Sequence, residues 1–408
     1  MIKGITLFPR VIILALFFLI GSTSIYGQNL SFQGNVNSHL VYGKIDQQPV
    51  IDIMGELKVK VDWGTMDYQL YLDISALAGK VDLNPFVPHF SGAGLQLNQL
   101  YWQAWLDQGE LKAGKQRIAW GSGYFYNPTD LINPIDLYAS ELKRENTTCF
   151  YGSYFLDQGT LEGVLMADFQ PVGPSSNQEA DLYAKMLNPE YTGIVEMPVG
   201  WQEEWEAAIR YSAMVGDFDT SFIYYHGRED IPINAINLTT GQVVFSYPCK
   251  DTLGLSFSGT VQPGTEESIG LWGEAAYSFW PSKKGYMQLL LGVDYTFDNG
   301  LHILTEYYYD GSYSLFLGQA GEALCAHLLA LETDTYLTDL FQIRAEMISP
   351  LDLSGQVLAV EGNYMLNDQM EINLGMIQLI QPEGSVFDPG LGFSFFRDQI
   401  YIGLKYYF

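Results

Sequence analysis

From residue 51 to residue 63 the chain alternates. Odd positions carry Ile51, Ile53, Gly55, Leu57, Val59, Val61 and Trp63, and even positions carry Asp52, Met54, Glu56, Lys58, Lys60 and Asp62. A period of two puts the first set on one face of a β-strand and the second on the other. The same split recurs in 204–215, where Trp205, Ala207, Ile209, Tyr211, Ala213 and Val215 oppose Glu204, Glu206 and Arg210. It returns in 286–297 (Leu289, Leu291, Val293, Tyr295 and Phe297 against Gly292, Asp294 and Thr296). It appears again in 357–366 and 370–379, with Glu361, Asn363, Glu371 and Asn373 on the polar side. No segment is apolar over about 18 residues, so the pattern predicts strands and no membrane-crossing helix.

Short turn signals separate many of these strands: Gly64-Thr65, Gln108-Gly109, Gln158-Gly159, Gly216-Asp217, Asn299-Gly300 and Asn367-Asp368. Such pairs supply the positive φ that tight hairpins need. Between them lie longer polar or Pro/Gly-rich stretches, 76–96, 121–147, 170–203, 227–250 and 310–320. Short turns alternating with long loops predict an all-β fold, a transmembrane antiparallel up-and-down β-barrel of about 16–18 strands, with the short turns periplasmic. The segment 319–348 reads either as a strand or as a short helix inside a loop. A soluble sandwich or propeller would also alternate. Against it, the turns keep no fixed blade period. Aromatic residues also gather at strand ends (Trp63, Phe279-Trp280, Tyr307 to Tyr309, Tyr406 to Phe408), as interfacial girdles would place them.

The N-terminus is different. Lys3 and Arg10 precede an apolar run from Val11 to Ile20, followed by small and polar residues up to Gly27–Gln28. Ten apolar residues are too few to span a bilayer as a helix, so 1–27 is expected to be a cleaved export signal and 28–408 the barrel. Strand one is expected to begin near Asn29–Leu30, with no plug domain before it. The charge balance narrows the partners. The chain has 20 Lys+Arg against 47 Asp+Glu, a net −27, which excludes a nucleic-acid binder with its basic footprint. The three cysteines, Cys149, Cys249 and Cys325, are far apart without CxxC spacing, so neither a disulfide framework nor a zinc site is indicated.

The chain resembles Gram-negative outer-membrane barrels. The resemblance rests on the export signal, the serial amphipathic strands and a last strand, QIYIGLKYYF, ending in Phe408. GKQRIAWGSGYFYNPTDLINPIDL (Gly114 to Leu137) resembles a stretch of porin-like families in which a strand ending in WG leads into a loop with repeated N-P and D. ISPLDLSGQVLAVEGNYMLNDQMEINLG resembles their late strands. The resemblance implies an outer-membrane location and lipid and lipopolysaccharide as surroundings. It also implies that Phe408 is part of the signal read by the barrel-assembly machinery. Many porins are trimers, and a homotrimer is one alternative here.

A barrel of this strand number is wide enough for water. The polar parity then nominates pore-lining residues: Asp52, Glu56, Lys58, Lys60, Arg210, Asp294, His302, Glu306, Arg344, Glu346, Glu371 and Lys405. Their alternative role is mutual pairing that holds the lumen in shape. Other acids, including Glu179, Asp181, Glu203, Asp230, Glu322, Glu332 and Asp334, are expected in loops and turns. The NPTD and NPID repeats of 121–147 nominate a constriction loop, with Asn127, Asp130, Asn133 and Asp136 facing solute and Trp120, Tyr124, Phe125 and Tyr126 offering flat faces. The competing reading is a pair of Asx-turns bracing the rim.

The expected function is passive diffusion of small hydrophilic solutes, mildly cation-selective because carboxylate rings favour cations. A closed binding or assembly barrel for surface polysaccharide is an alternative. An outer-membrane hydrolase using His226 beside Arg228, Glu229 and Asp230 is another, but no HExxH or GxSxG motif supports catalysis. No cofactor or metal is expected.

Overall fold

The computed structural model describes residues 29–45, 48–81, 90–134, 144–166, 169–199, 205–264, 268–280, 285–311, 327–351, 355–380 and 398–408. Residues 1–27, expected to be an export signal, and Asp136 and Cys325 lie outside the described residues. The first half of the chain supplies β1 (Asn29–Ile45), β2 (Gln48–Gly64), β3 (Tyr68–Val81), β4 (Phe90–Leu106), β5 (Gly109–Gln116), β6 (Thr147–Leu156) and β7 (Gly159–Met166). A helix α1 (Asn177–Leu187) and a short β8 (Thr192–Glu196) follow, then β9 (Glu206–Val215) and β10 (Phe218–Arg228). Two short strands, β11 (Ile233–Asn237) and β12 (Gln242–Ser246), precede β13 (Cys249–Val261), β14 (Ile269–Phe279), β15 (Tyr286–Thr296) and β16 (His302–Asp310). The chain ends with β17 (His327–Thr338), β18 (Phe341–Pro350), β19 (Gln356–Asn367), β20 (Met370–Ile380) and β21 (Gln399–Tyr407).

Eighteen of these strands form one antiparallel sheet, the upper end of the expected range, and β1 closes it against β21 from Asn35↔Tyr407 to Gly43↔Gln399. Closure satisfies the outer N–H and C=O of both terminal strands, which an open edge would leave bare in lipid. At the seam Gly34 and Phe408 exchange two backbone hydrogen bonds of 2.9 and 3.0 Å. All six turn signals fall at one end of the barrel, together with Asn29 and Phe408. The long connections leave β5, β7 and β10 at the other end, after Gln116, Met166 and Arg228. The 319–348 ambiguity resolves as strand over His327–Thr338.

The outward parity is apolar and exposed, with Ile53 at 57% and Leu291 at 58% exposure, as a lipid-facing wall requires. Two expectations need correction. Within 76–96 the described residues, 76–81 and 90–96, are strand, because Ala78↔Ala93 and Gly79↔Gly92 pair across β3 and β4, and a ladder overrides the weak strand preference of Gly and Ala. The Tyr307 to Tyr309 cluster is not wholly a girdle. Tyr308 is buried inside the barrel, because consecutive strand residues face opposite ways.

The connections after β7 and β10 meet in a small unit of their own. β12 pairs antiparallel with β11 and parallel with β8, and α1 packs on this sheet through Ala180 and Ala184 against Val243 and Phe245. The helix start is capped. Ser176 Oγ accepts from the Glu179 N–H at 3.3 Å, and the Glu179 carboxylate accepts from Ser175 N and Oγ at 2.8 Å each, which holds its carboxyl below the usual range. Phe245→Ala is expected to cost this unit about 3–5 kcal/mol. Limited trypsinolysis would show it as faster cleavage at Lys185 in α1 while the barrel resists, whereas unchanged cleavage would mean the unit is held by the barrel and not by its own core.

Candidate functional site

After Gln116 the chain turns into the lumen, and the wall explains why. On β14–β17 the inward parity carries Trp272, Leu290, Leu304, Tyr308, Leu328 and Ala330, all buried. Tyr126 of the loop joins them, its ring stacked on Tyr308 with centroids 4.6 Å apart and planes 5° from parallel. At the loop's root, Ile118, Trp120 and Ile132 bury against Val164, Met166, Ala208, Ile223 and Tyr225. Each large side chain so covered contributes on the order of 1.5–3 kcal/mol.

A loop inside a barrel has no ladder partner for its N–H groups, and burying them unpaired is costly. Two wall carboxylates accept them. Glu274 accepts from the N–H of Ser122 (2.5 Å), Gly123 (2.8 Å) and Thr129 (2.9 Å), and from Thr129 Oγ1 (2.8 Å). Glu306 accepts from the N–H of Tyr124 (2.6 Å), Phe125 (2.9 Å) and Tyr126 (3.4 Å), and from Trp272 Nε1 (2.8 Å). Gly121 makes the bend just before the anchored residues at φ +94°, where a Cβ would overlap Asn127 Oδ1 and come within 2.7 Å of Glu274 Oε1.

The first N-P repeat is a β-turn, with the Asp130 N–H donating to Asn127 O at 3.1 Å. Asn133 acts as a strand substitute for Ile118: its Nδ2 donates to Ile118 O at 2.6 Å and its Oδ1 accepts from Ile118 N at 3.3 Å. Arg117 pairs with Asp130 at 2.8 Å. Burial pushes the Asp130 carboxyl up, against the lowering pull of Arg144 and Arg117. Between this loop and the wall lies a cavity of about 400 Å³, lined among others by Arg117, Tyr124, Arg144, Asp230, Lys250 and Gln288.

Away from the loop the wall is charged and knit together. Arg344 contacts Glu332 at 2.6 Å and Glu346 at 2.8 Å. His302 bridges Asp294 at 3.0 Å and Asp334 at 2.8 Å. Lys58 lies 3.4 Å from Asp73, Glu56 accepts from Ser75 Oγ at 2.6 Å, and Glu371 accepts from Tyr407 OH at 2.9 Å. Lys405 sits over the Tyr407 ring at 4.6 Å. At the loop's root, by contrast, Arg210 pairs with Glu162 and lies 5.0 Å from the Trp120 ring.

The same architecture recurs in solved structures. OccK5 (OpdH) of Pseudomonas aeruginosa superposes with a TM-score of 0.57 at 8% identity, over 93% of this chain and 98% of that one. The fold is that of the outer-membrane porins. OpdL of P. aeruginosa (TM-score 0.58, 8% identity, 93% and 99% covered) and OccAB3 of Acinetobacter baumannii (0.57, 11%, 93% and 99%) share it. No family model and no curated protein matches the chain.

Within this porin fold the nominated residues divide. Lys60, Asp294, His302, Arg344, Glu346, Glu371 and Lys405 are half-buried on the inward parity, as are Glu56, Lys58 and Arg210. Asp52 is buried, and Glu306 is fully buried beneath the loop, so Glu306 is a loop anchor and touches no open lumen. In the loop, Tyr124 is 68% exposed and Asn127 is half-buried, but Trp120, Asp130 and Asn133 are buried. Trp120 and Asn133 brace the loop instead of facing solute, consumed by the packing and strand-like bonding just described, while Asp130, held by Arg117, contributes to the cavity lining. Glu332 and Asp334 are not loop residues. They sit in mid-β17 facing inward. His226 hydrogen-bonds Asp251 at 2.9 Å from the outward face, away from Glu229, which pairs with Lys250 at 2.8 Å. The acid–base cluster weighed for His226 is therefore not assembled. Glu274 escaped the sequence reading. Its signal was there, since the polar parity of β14–β17 carries large apolar residues that water alone would not explain.

Proposed function

We propose that the protein is an outer-membrane channel for passive diffusion of small hydrophilic solutes, mildly selective for cations. The observation that carries this reading is the division of the lumen wall. One sector is apolar and occupied by an inward loop on two carboxylate anchors, and the other presents charged side chains to the remaining space. In that sector carboxylates such as Glu332, Glu346, Asp334, Glu361 and Glu371 outweigh Arg344 and Lys405, the balance that favours cations in a pore. The reading is non-enzymatic and needs no cofactor. It makes 1–27 the export signal, Phe408 the mark read by the assembly machinery, and lipid and lipopolysaccharide the surroundings of the apolar wall, with a homotrimer as one arrangement.

The test is conductance and reversal potential of the refolded 28–408 chain in a planar bilayer under a salt gradient. Stable steps with a cation-biased reversal potential are expected. A folded barrel that passes no current overturns the channel reading.

A further inference from the structure

We propose that the cavity between the inward loop and the wall is a binding site for a neutral sugar, a short oligosaccharide passing through the lumen. This deepens the channel reading and rests on it for the route by which the sugar arrives. Its volume of about 400 Å³ lies within the range of roughly 300–1,000 Å³ usual for small-molecule sites.

The charge chemistry selects against ions. The cavity is lined by three cations, Arg117, Arg144 and Lys250, and three carboxylates, Asp130, Glu229 and Asp230. Arg117 already holds Asp130 at 2.8 Å, and Lys250 holds Glu229 at 2.8 Å. Glu229 further accepts from Tyr286 OH at 2.6 Å and Trp280 Nε1 at 3.0 Å, so three donors already hold it. Arg144 donates to two carbonyls, Asn133 O at 3.0 Å and Asn127 O at 3.4 Å, and acts electrostatically on Asp230. With three cations against three carboxylates, and two of each already paired, the lining offers an incoming carboxylate or amine no net charge of opposite sign. A hydroxyl needs none. Donor and acceptor groups lying side by side, as guanidinium and carboxylate do here, suit the vicinal hydroxyls of a sugar, each of which donates and accepts.

The second requirement of sugar recognition is a flat apolar surface for the C–H face of the ring. Tyr124 supplies it. Its side chain is exposed, yet its backbone is pinned by Glu306 at 2.6 Å and its ring rests on Trp272, centroids 5.0 Å apart at 58°. An exposed aromatic held in place by backbone bonding is preorganised, so little freedom is lost when a ligand stacks on it.

The experiment combines maltotriose binding to the detergent-refolded chain, read by intrinsic fluorescence, with maltotriose-induced interruptions of the bilayer current. Succinate is the charged comparison, and heat-modifiable gel mobility verifies folding of each variant. Maltotriose should bind and interrupt the current. Tyr124→Ala should weaken binding about tenfold, and Tyr124→Phe, which keeps the ring, should retain it. Steady current that maltotriose never interrupts, with no fluorescence response, overturns the sugar site and leaves the channel standing. Interruption by succinate alone overturns it in favour of an anion site. Maltotriose binding to a barrel that conducts nothing overturns the channel reading and keeps the site.

Discussion

Alanine at both Glu274 and Glu306 is expected to free the 117–134 loop from the far wall and to enlarge the single-channel steps. The two carboxylates together accept six loop N–H groups and two loop hydroxyls, from Ser122 to Thr129. A buried donor left without its acceptor costs roughly 1–3 kcal/mol. Even a few of them exceed the ~5.5 kcal/mol that turns a 99:1 equilibrium into 1:99. The apolar contacts of Tyr126 with Tyr308 and Leu290 oppose release, but they cannot satisfy a single N–H. The single variants should therefore be graded. Glu274→Gln, which keeps one acceptor oxygen but turns an NH2 toward N–H donors at the other position, should fall between the parent and Glu274→Ala, and Glu274→Ala should show intermittent larger openings. If the double alanine variant folds and conducts in parent-sized steps, the apolar packing alone holds the loop and the carboxylates are ornaments of it.

Removing Arg344 should shift the reversal potential further toward cations. Glu332 and Glu346 face each other directly across β17 and β18, a like-charge pairing that destabilises a sheet unless something sits between them. Arg344 does so, with Asp334 and Glu361 as its own cross-strand neighbours. Arg344→Gln removes one positive charge and leaves four carboxylates facing the lumen. At ~8 Å in water one unit charge is worth about 0.5 kcal/mol, so cation preference should rise about twofold at low salt. The effect should fade toward 1 M salt, where the screening length is about 3 Å. A shift that persists at high salt, or none at low salt, would place Arg344 outside the ion path.

The barrel was legible because its signals are local and repeated. A strand facing lipid on one side and polar groups on the other writes its period into 51–63 residue by residue, and hairpins such as Asn299-Gly300 need their own turn chemistry. The site was less legible. Asp130 and Asn133 are polar residues in a loop, and nothing within twenty residues of them says that they turn inward and are buried. That outcome depends on Trp272, Glu274, Leu290 and Glu306, which are far off in sequence and lie on a parity that reads simply as pore wall. Glu332 was misplaced for a related reason, since LETDTYLTD alone resembles a polar loop until β16 and β18 flank it. Period finds faces; it does not find what a face is covered by.

The separation between the loop and its anchors sets an order of events. The contacts from Ser122 to Glu274 and from Tyr124 to Glu306 span 152 and 182 residues. In whatever order the strands enter the membrane, the inward segment has no latch until both β14 and β16 have joined the wall. The narrowing of the lumen therefore waits on strands that lie far from the loop in sequence.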